Sequence, residues 1–478
     1  MSESLPLGLT FDDVLLVPRR SGVSTRRQAD TRARLCRGID LAIPIVSASM
    51  DSVTESQMAI AIAREGGIGI IHRFLPIAEH VAEVRRVKRA ESVVLDAPHT
   101  AGPESTVRQA AAYMEEHGPA SVLVIDRDRR LLGIVTARDV LFEDDLDRPV
   151  TAVMTPRERL ITAPVGTPVE EAKGILHRHR IEKLPLVDPE GRLTGLVTSR
   201  DILSRLRHPQ ATKDGRGRLR VGAAIGVRGD FLERAQALVE AEVDALVIDI
   251  AHGHSDLSFR TVEAVRARCG NIPLVAGNVA TPEGTRDLIE SGVDGIKVGV
   301  GPGSTCTTRI VTGAGVPQLT AILSCAEAAA ASGIPVIADG GIRSSGDLVK
   351  ALAGGAESVM LGNLLAGTEE SPGTSVTRNG RQYKVYRGMA SLWTSAERRD
   401  MPQEDELLSE IVPEGIEALV PYRGRVSAVL AQLVGGLRSG MSYCGATTLA
   451  ELHRNARFMR VTDAGVRESM PHDVDALS

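Results

Sequence analysis

The sequence predicts an α/β barrel of eight parallel strands interrupted by an inserted tandem repeat. Three observations predict it. Eight short apolar, β-branched runs alternate with amphipathic stretches, at 44–48, 68–71, 221–225, 245–250, 274–279, 296–300, 336–338 and 359–361. The hydrophobicity within each run is continuous rather than alternating, which marks strands covered on both faces and therefore parallel. Residues from about 94 to 206 break this rhythm and repeat themselves.

The barrel elements follow in order. Amphipathic stretches at 55–65, 77–89, 231–240, 285–291 and 346–352 supply helices between the runs. Eight strands, each followed by a helix, is the count of a (β/α)8 TIM barrel. A doubly wound sheet would want a Gly-rich turn after the first strand. Ser47-Ala-Ser-Met50 is not one. The barrel is then discontinuous, 1–93 and 207–478, with the repeat inserted after the second helix.

The repeat has an offset of 62 residues: Gly133-Ile-Val-Thr-Ala-Arg-Asp139 returns as Gly195-Leu-Val-Thr-Ser-Arg-Asp201. The same offset carries Val107 onto Val169, Ala110 onto Ala172 and Asp126 onto Asp188. The copies span about 94–150 and 151–206, each reading helix, strand, Gly turn, strand and closing helix. The pattern resembles a tandem pair of CBS domains. That resemblance implies a regulatory module in which Thr136 with Asp139, and Thr198 with Asp201, meet the ribose of a regulatory ATP or GTP. A packing module without a ligand is the alternative.

Composition narrows the function class. The 478 residues hold 56 Lys and Arg against 61 Asp and Glu, a net charge of −5, which lacks the basic footprint of a nucleic-acid binder. Hydrophobic residues make up 43% and charged ones 24%, values of an ordinary globular protein. No apolar run reaches the ~18 residues of a membrane span, and the start MSESLPLGLTFDD has no apolar signal segment. The five cysteines are scattered without a CxxC pair, which disfavours a zinc ribbon or disulfide framework. A cytoplasmic protein is expected, with no nucleic-acid or membrane partner.

A barrel carries its site at the carboxyl ends of its strands. In order, those ends show Ser47 and Met50, Asp249 with His252 and His254, Gly277-Asn278, Gly301-Pro-Gly-Ser-Thr-Cys306-Thr-Thr-Arg309, Asp339-Gly-Gly341 and Gly362-Asn363. The Gly residues at the last two strands suit a phosphate cradle of backbone N–H groups, joined by Ser304. Asp339 is placed to accept from a ribose diol. Cys306 sits among Gly, Ser and Thr in a loop expected to be flexible, a setting that suits a nucleophile rather than a packing thiol. No His adjoins it, so its base must come from elsewhere in the fold. Successive carbonyls of the loop, at Gly301, Gly303 and Cys306, offer a site for a monovalent cation such as K+.

Leu9-Thr-Phe-Asp-Asp-Val-Leu-Leu-Val-Pro18, the Cys306 loop, Ala338-Asp-Gly-Gly-Ile342, Tyr386-Arg-Gly-Met389 and Gly435-Gly-Leu-Arg-Ser-Gly440 together resemble the inosine monophosphate dehydrogenase and GMP reductase family over essentially the whole chain. The resemblance implies a purine-nucleotide barrel, usually a homotetramer or octamer, that works through a thioimidate between Cys306 and purine carbon 2. It places Ser47, Met50, Ser304, Asp339, Gly341, Gly362, Asn363, Tyr386, Met389 and Ala390 against the nucleotide. Asp249, Ile250, Ala251, Asn278 and Gly299 fall on the nicotinamide side. Asn363 stands where Ser or Gly is commoner.

The family has two chemistries. The dehydrogenase oxidises IMP with NAD and hydrolyses the intermediate, with an Arg-Tyr pair on a mobile flap activating water. The reductase takes GMP, expels ammonia and accepts hydride from NADPH. The flap region, about 391–420, contains Arg398-Arg-Asp400 and Trp393 but no Tyr. Asp249-Ile-Ala251 and Met389-Ala-Ser391 also resemble the reductase. The CBS-like insert and Val412-Pro-Glu-Gly-Ile-Glu417 resemble bacterial dehydrogenases. The missing phenol weighs most because the flap touches the chemistry, so the expectation is an NADPH-dependent GMP reductase. Thr308 and Glu414 then relay the proton that makes the amine a leaving ammonia. The alternatives are an NAD-dependent IMP dehydrogenase and a catalytically silent nucleotide sensor.

Overall fold

The computed structural model describes residues 5–91, 98–117, 121–389 and 412–471. The chain divides into two compact units. One holds Met1–Ala90, Gln210–Asp214 and Leu219–Ser478; the other holds Glu91–Pro209 and Gly215–Arg218.

In the first unit the eight apolar runs form a closed barrel of parallel strands. They are β1 (Ile45–Ser47), β2 (Ile68–Ile71), β3 (Gly222–Ile225), β4 (Ala245–Asp249), β5 (Leu274–Val279), β6 (Gly295–Val298), β7 (Val336–Asp339) and β8 (Ser358–Leu361). β8 returns to β1 with Met360 opposite Val46, and β2 meets β3 with Gly222 opposite Ile70. Every residue of the eight strands is buried except Asp339 at the end of β7; the runs are continuous because helices cover the outer face. Helices α1 (Ser56–Arg64), α2 (Ile77–Ala90), α3 (Phe231–Glu240), α4 (Asp256–Cys269), α5 (Pro282–Glu290), α6 (Gln318–Ala330), α7 (Ser345–Ala353) and α8 (Val426–Tyr443) supply much of that cover. A hairpin of Ala33–Cys36 with Ile39–Leu41 precedes the barrel, with Leu35, Cys36 and Ile39 fully buried. Where the chain leaves and re-enters this unit, the buried Lys88 ammonium at the end of α2 joins Asp214 at 3.0 Å and Asp244 at 2.7 Å.

The second unit repeats at the spacing seen in the sequence. Helices Val107–His117 and Val169–His179, and strands Leu131–Thr136 and Leu193–Thr198, lie 62 residues apart. The copies form a four-stranded and a three-stranded sheet. They join through Leu123, Leu131, Ile134, Leu193 and Leu196, and Leu193 N–H donates to the Arg129 carbonyl at 2.8 Å. The Thr-x-x-Asp motif has a local job: the Asp139 carboxylate accepts from both Thr136 N–H and its hydroxyl at 2.7 Å, capping the next helix. The Asp201 side chain lies outside the described residues.

Among the described residues no helix is long and apolar enough to cross a membrane. Helix α2 also buries His80, whose Nδ1 lies 3.3 Å from the Arg234 guanidinium of α3. Burial, then the Arg234 charge, push its pKa down from 6.5 to about 3. The native state therefore keeps His80 neutral while the unfolded chain protonates it below 6.5. Its contribution is complete above that pH and declines as pH falls toward 3, by about 2 kcal/mol at pH 5. Thermal melts at pH 7 and pH 5 should show a smaller acid-induced drop in His80→Leu than in the native protein; equal drops would contradict this assignment.

Candidate active site

The carboxyl ends of the strands converge on a cavity of about 620 Å3. Met50, Asp249, Ile250, Ala251, Asn278, Gly299, Gly301, Gly303, Ser304, Cys306, Thr308, Asp339, Gly341, Gly362, Asn363, Tyr386, Met389 and Glu414 all line it. One expected residue does not. Ser47 is fully buried and its hydroxyl oxygen accepts from Thr54 at 2.9 Å; the neighbouring Ser49 lines the cavity instead. Ala390 lies outside the described residues, as does most of the expected flap. His254 is drawn away to Asp287 at 2.7 Å.

The Cys306 loop is held, contrary to the flexible loop expected from its composition. Arg309 lies beneath it, donating from Nε to the Val300 carbonyl at 3.2 Å and from Nη2 to the Val316 carbonyl at 2.5 Å. Residues 414–416 lie along its other side: Thr307 N–H donates to the Glu414 carbonyl at 2.8 Å and Ile416 N–H to the Thr305 carbonyl at 2.9 Å. This second segment continues into the strand Glu417–Pro421, which pairs with Arg381–Arg387.

That pairing assembles a proton route. Cys306 Sγ lies 3.2 Å from the Thr308 hydroxyl, and the hydroxyl donates to Glu414 Oε2 at 2.6 Å. Cys306 is partly exposed, whereas burial pushes the Cys36 thiol up to about 12 and the Cys325 thiol to about 11. The latter two are packing groups. A carboxylate 108 positions later in the sequence is thus joined to Cys306 through one hydroxyl.

The opposite end suits an anion. Gly340 and Gly341 follow β7 with φ of +88° and +78°, a left-handed pair that side chains rarely adopt. The buried Phe11 backs this turn, and its carbonyl accepts from Lys350 at 2.9 Å. Asp12 holds the Arg343 guanidinium at 2.5 Å on the cavity wall, which keeps the Asp12 carboxyl below the usual range. Tyr386 is buried, which pushes its phenol pKa up, and its hydroxyl lies 3.6 Å from Met50 Sδ.

A buried ionic cluster sits between these ends. The Lys297 ammonium of β6 lies 2.8 Å from Asp249 Oδ1 and 2.5 Å from Asp339 Oδ2. It also donates to Asn278 Oδ1. Asp249 Oδ2 accepts from Ser49 at 2.5 Å. Burial opposes the Asp249 anion, yet the Lys297 charge and bonds hold its pKa below the usual value. Lys297, Ser49 and Gln318 were not singled out from the sequence. A lysine inside the apolar run Gly295-Ile-Lys-Val298 is the signal that would have found the first.

Residues 8–472 match the family described as IMP dehydrogenase / GMP reductase domain. The inosine-5'-monophosphate dehydrogenase of Aquifex aeolicus is 54% identical over 98% of this chain and 96% of its own. That of Nitrosopumilus maritimus is 52% identical over 98% of both. Among solved structures, a GMP reductase variant of Trypanosoma brucei in complex with guanosine 5'-monophosphate is 44% identical, covers 99% of both chains and superposes with a TM-score of 0.93.

These findings correct the reductase expectation. The full-length curated relatives at 49–54% identity are IMP dehydrogenases. The expectation leaned on a missing tyrosine in a segment whose residues 390–411 are not described, and it assigned the Thr308–Glu414 relay to the release of ammonia. The chain belongs to the IMP dehydrogenase / GMP reductase family, whose members are oxidoreductases that act on purine nucleotides with a nicotinamide cofactor.

Proposed function

We propose that this protein is an IMP dehydrogenase, oxidising IMP to XMP with NAD through a thioimidate on Cys306. The observation that carries the reading is the Cys306–Thr308–Glu414 chain at the mouth of a cavity shared with a Gly-rich anion cradle. Full-length similarity to IMP dehydrogenases supports the same chemistry.

The residues have distinct tasks in this reading. Gly341, Gly362 and Asn363, with Ser304, hold the phosphate; Asp339 accepts from the ribose diol; Met50, Tyr386 and the 389–390 backbone border the base. The apolar Ile250–Ala251 wall, beside Gly299 where a Cβ would collide with the Asp339 carbonyl, suits a flat nicotinamide ring. NAD supplies the acceptor for the hydride that leaves purine carbon 2. The Cys306 thiol passes its proton through Thr308 toward Glu414, and the sulfur bonds to carbon 2. After hydride departure, the thioimidate must react with water. Glu414, having released the thiol proton to solvent in the meantime, takes the proton of that water through the Thr308 hydroxyl as it attacks, so a carboxylate serves where a phenol was expected. The thiolate then leaves and XMP is released.

Three further assignments accompany this reading. The carbonyls of Gly301, Gly303 and Cys306 form a hard-oxygen set for K+; the Gly303 oxygen already accepts Cys306 N–H at 3.1 Å and retains one lone pair. The repeated unit binds adenine or guanine nucleotides near Thr136, Asp139, Thr198 and Asp201 and tunes activity. The enzyme works as a cytoplasmic homotetramer or octamer.

Purified protein given IMP and NAD should produce XMP and NADH; consumption of GMP and NADPH with release of ammonia, in place of that reaction, would overturn the reading. Cys306→Ala should abolish turnover, by at least about 10³-fold. Glu414→Gln should slow it by about 10²- to 10⁴-fold and leave a nucleotide adduct on Cys306 detectable by mass spectrometry. Unchanged turnover without an adduct would remove Glu414 from the mechanism. Deleting residues 94–206 should keep basal catalysis and erase any response to ATP or GTP; a surviving response would locate regulation elsewhere.

A further inference from the structure

Barrel interiors are filled in layers by branched apolar side chains. Lys297 departs from that rule. Its side chain is only 2% exposed, in a strand otherwise built of Gly, Ile and Val. An apolar residue would pack such a position at lower desolvation cost than a buried ion cluster. The two strands approach closely here: a Cβ added at Gly277, on the adjacent β5, would collide with the Lys297 carbonyl and lie 2.7 Å from the Lys297 Cβ.

The ammonium contacts three side chains from three strands. Asp249 ends β4, Asn278 lies on β5 and Asp339 ends β7. The bonding is asymmetric. Both oxygens of Asp249 are occupied, Oδ1 by Lys297 at 2.8 Å and Oδ2 by Ser49 at 2.5 Å. At Asp339 both donors converge on Oδ2, Lys297 at 2.5 Å and Asn278 Nδ2 at 3.0 Å. The Asn278 amide also donates to the Gly299 carbonyl at 2.6 Å, which fixes its own orientation. Among the described residues no hydrogen bond reaches Asp339 Oδ1, which is left to accept from outside the cluster. Asp249 is thereby an anchor for the lysine, and Asp339 is the member that can meet a ligand.

We propose that Lys297 is a positioning residue for the ribose: anchored by Asp249, it fixes the Asp339 carboxylate so that one oxygen is presented to the nucleotide diol. This deepens the nucleotide reading given above and rests on it. Without the ammonium, two carboxylates would share the cluster with Asn278 and no cation of β6. The Arg73 guanidinium, which acts on Asp249 and lines the cavity, would still act on that carboxylate.

The test compares binding of IMP with 2′,3′-dideoxy-IMP by calorimetry, so that it does not depend on turnover. The native protein should favour IMP by about 10- to 150-fold, the range for hydrogen bonds to a charged group. Lys297→Met should lower IMP affinity and narrow that preference below about 5-fold, while Lys297→Arg, which keeps the charge, should retain most of it. A purely structural lysine would shift the melting temperature and leave the preference intact. Should Lys297→Met not fold, the double variant Lys297→Met with Asp249→Asn removes the stranded carboxylate, and the same narrowing is expected. Undiminished preference in either variant overturns the proposal. Absence of any preference in the native protein would instead overturn the assignment of Asp339 to the ribose.

Discussion

The hydrogen bond from the Thr308 hydroxyl to Glu414, at 2.6 Å, is the contact on which the proposed chemistry depends. It joins the loop after β6 to a segment more than a hundred residues later, and links a thiol to a carboxylate through one hydroxyl. Much of the surrounding architecture fixes that one contact. Arg309 ties down the loop from below by two backbone carbonyls. Backbone hydrogen bonds at Thr307 and Ile416 align the later segment with it. The three-stranded sheet of Ser375–Arg378, Arg381–Arg387 and Glu417–Pro421 then carries that segment back toward the barrel.

A general base must lie within reach of the proton it takes, and geometry is the first requirement. Here the reach is supplied by a hydroxyl that both accepts and donates. The same arrangement serves two steps of the proposed reaction: removing the thiol proton before attack and the water proton afterwards. The groups proposed to hold the nucleotide are of a different kind, a left-handed glycine pair and an ionic cluster that is buried and mutually neutralised. One end of the cavity is therefore rigid by charge and turn geometry, and the other is connected for proton movement.

The barrel was readable because its signal is local. Runs such as 68–71 and 274–279 appear as strands with the same bounds, since a strand covered on both faces must be apolar throughout. The repeated unit was readable for a similar reason: Val107–His117 and Val169–His179 match residue for residue in length. Cys306 stood out by its polar neighbours. Lys297 did not, because one lysine in an apolar run carries no mark of the two carboxylates that face it from other strands. Ser47 and Ser49 exchanged places because strand ends differ by one or two residues, and that shift decides which hydroxyl faces the cavity. The reductase expectation leaned on an absence, a tyrosine missing from residues 391–420, and the full-length relatives at 49–54% identity, which are IMP dehydrogenases, overturn it. Thr308 and Glu414 were named together from the resemblance, and the structure sets them 2.6 Å apart.

Water is the reactant that separates this account from its rival, so its oxygen should be followed. Reaction of IMP and NAD in water enriched in oxygen-18 should give XMP bearing one heavy oxygen, at carbon 2 of the purine. Product without that label, or no XMP at all while GMP is converted to IMP, would contradict the account at its centre.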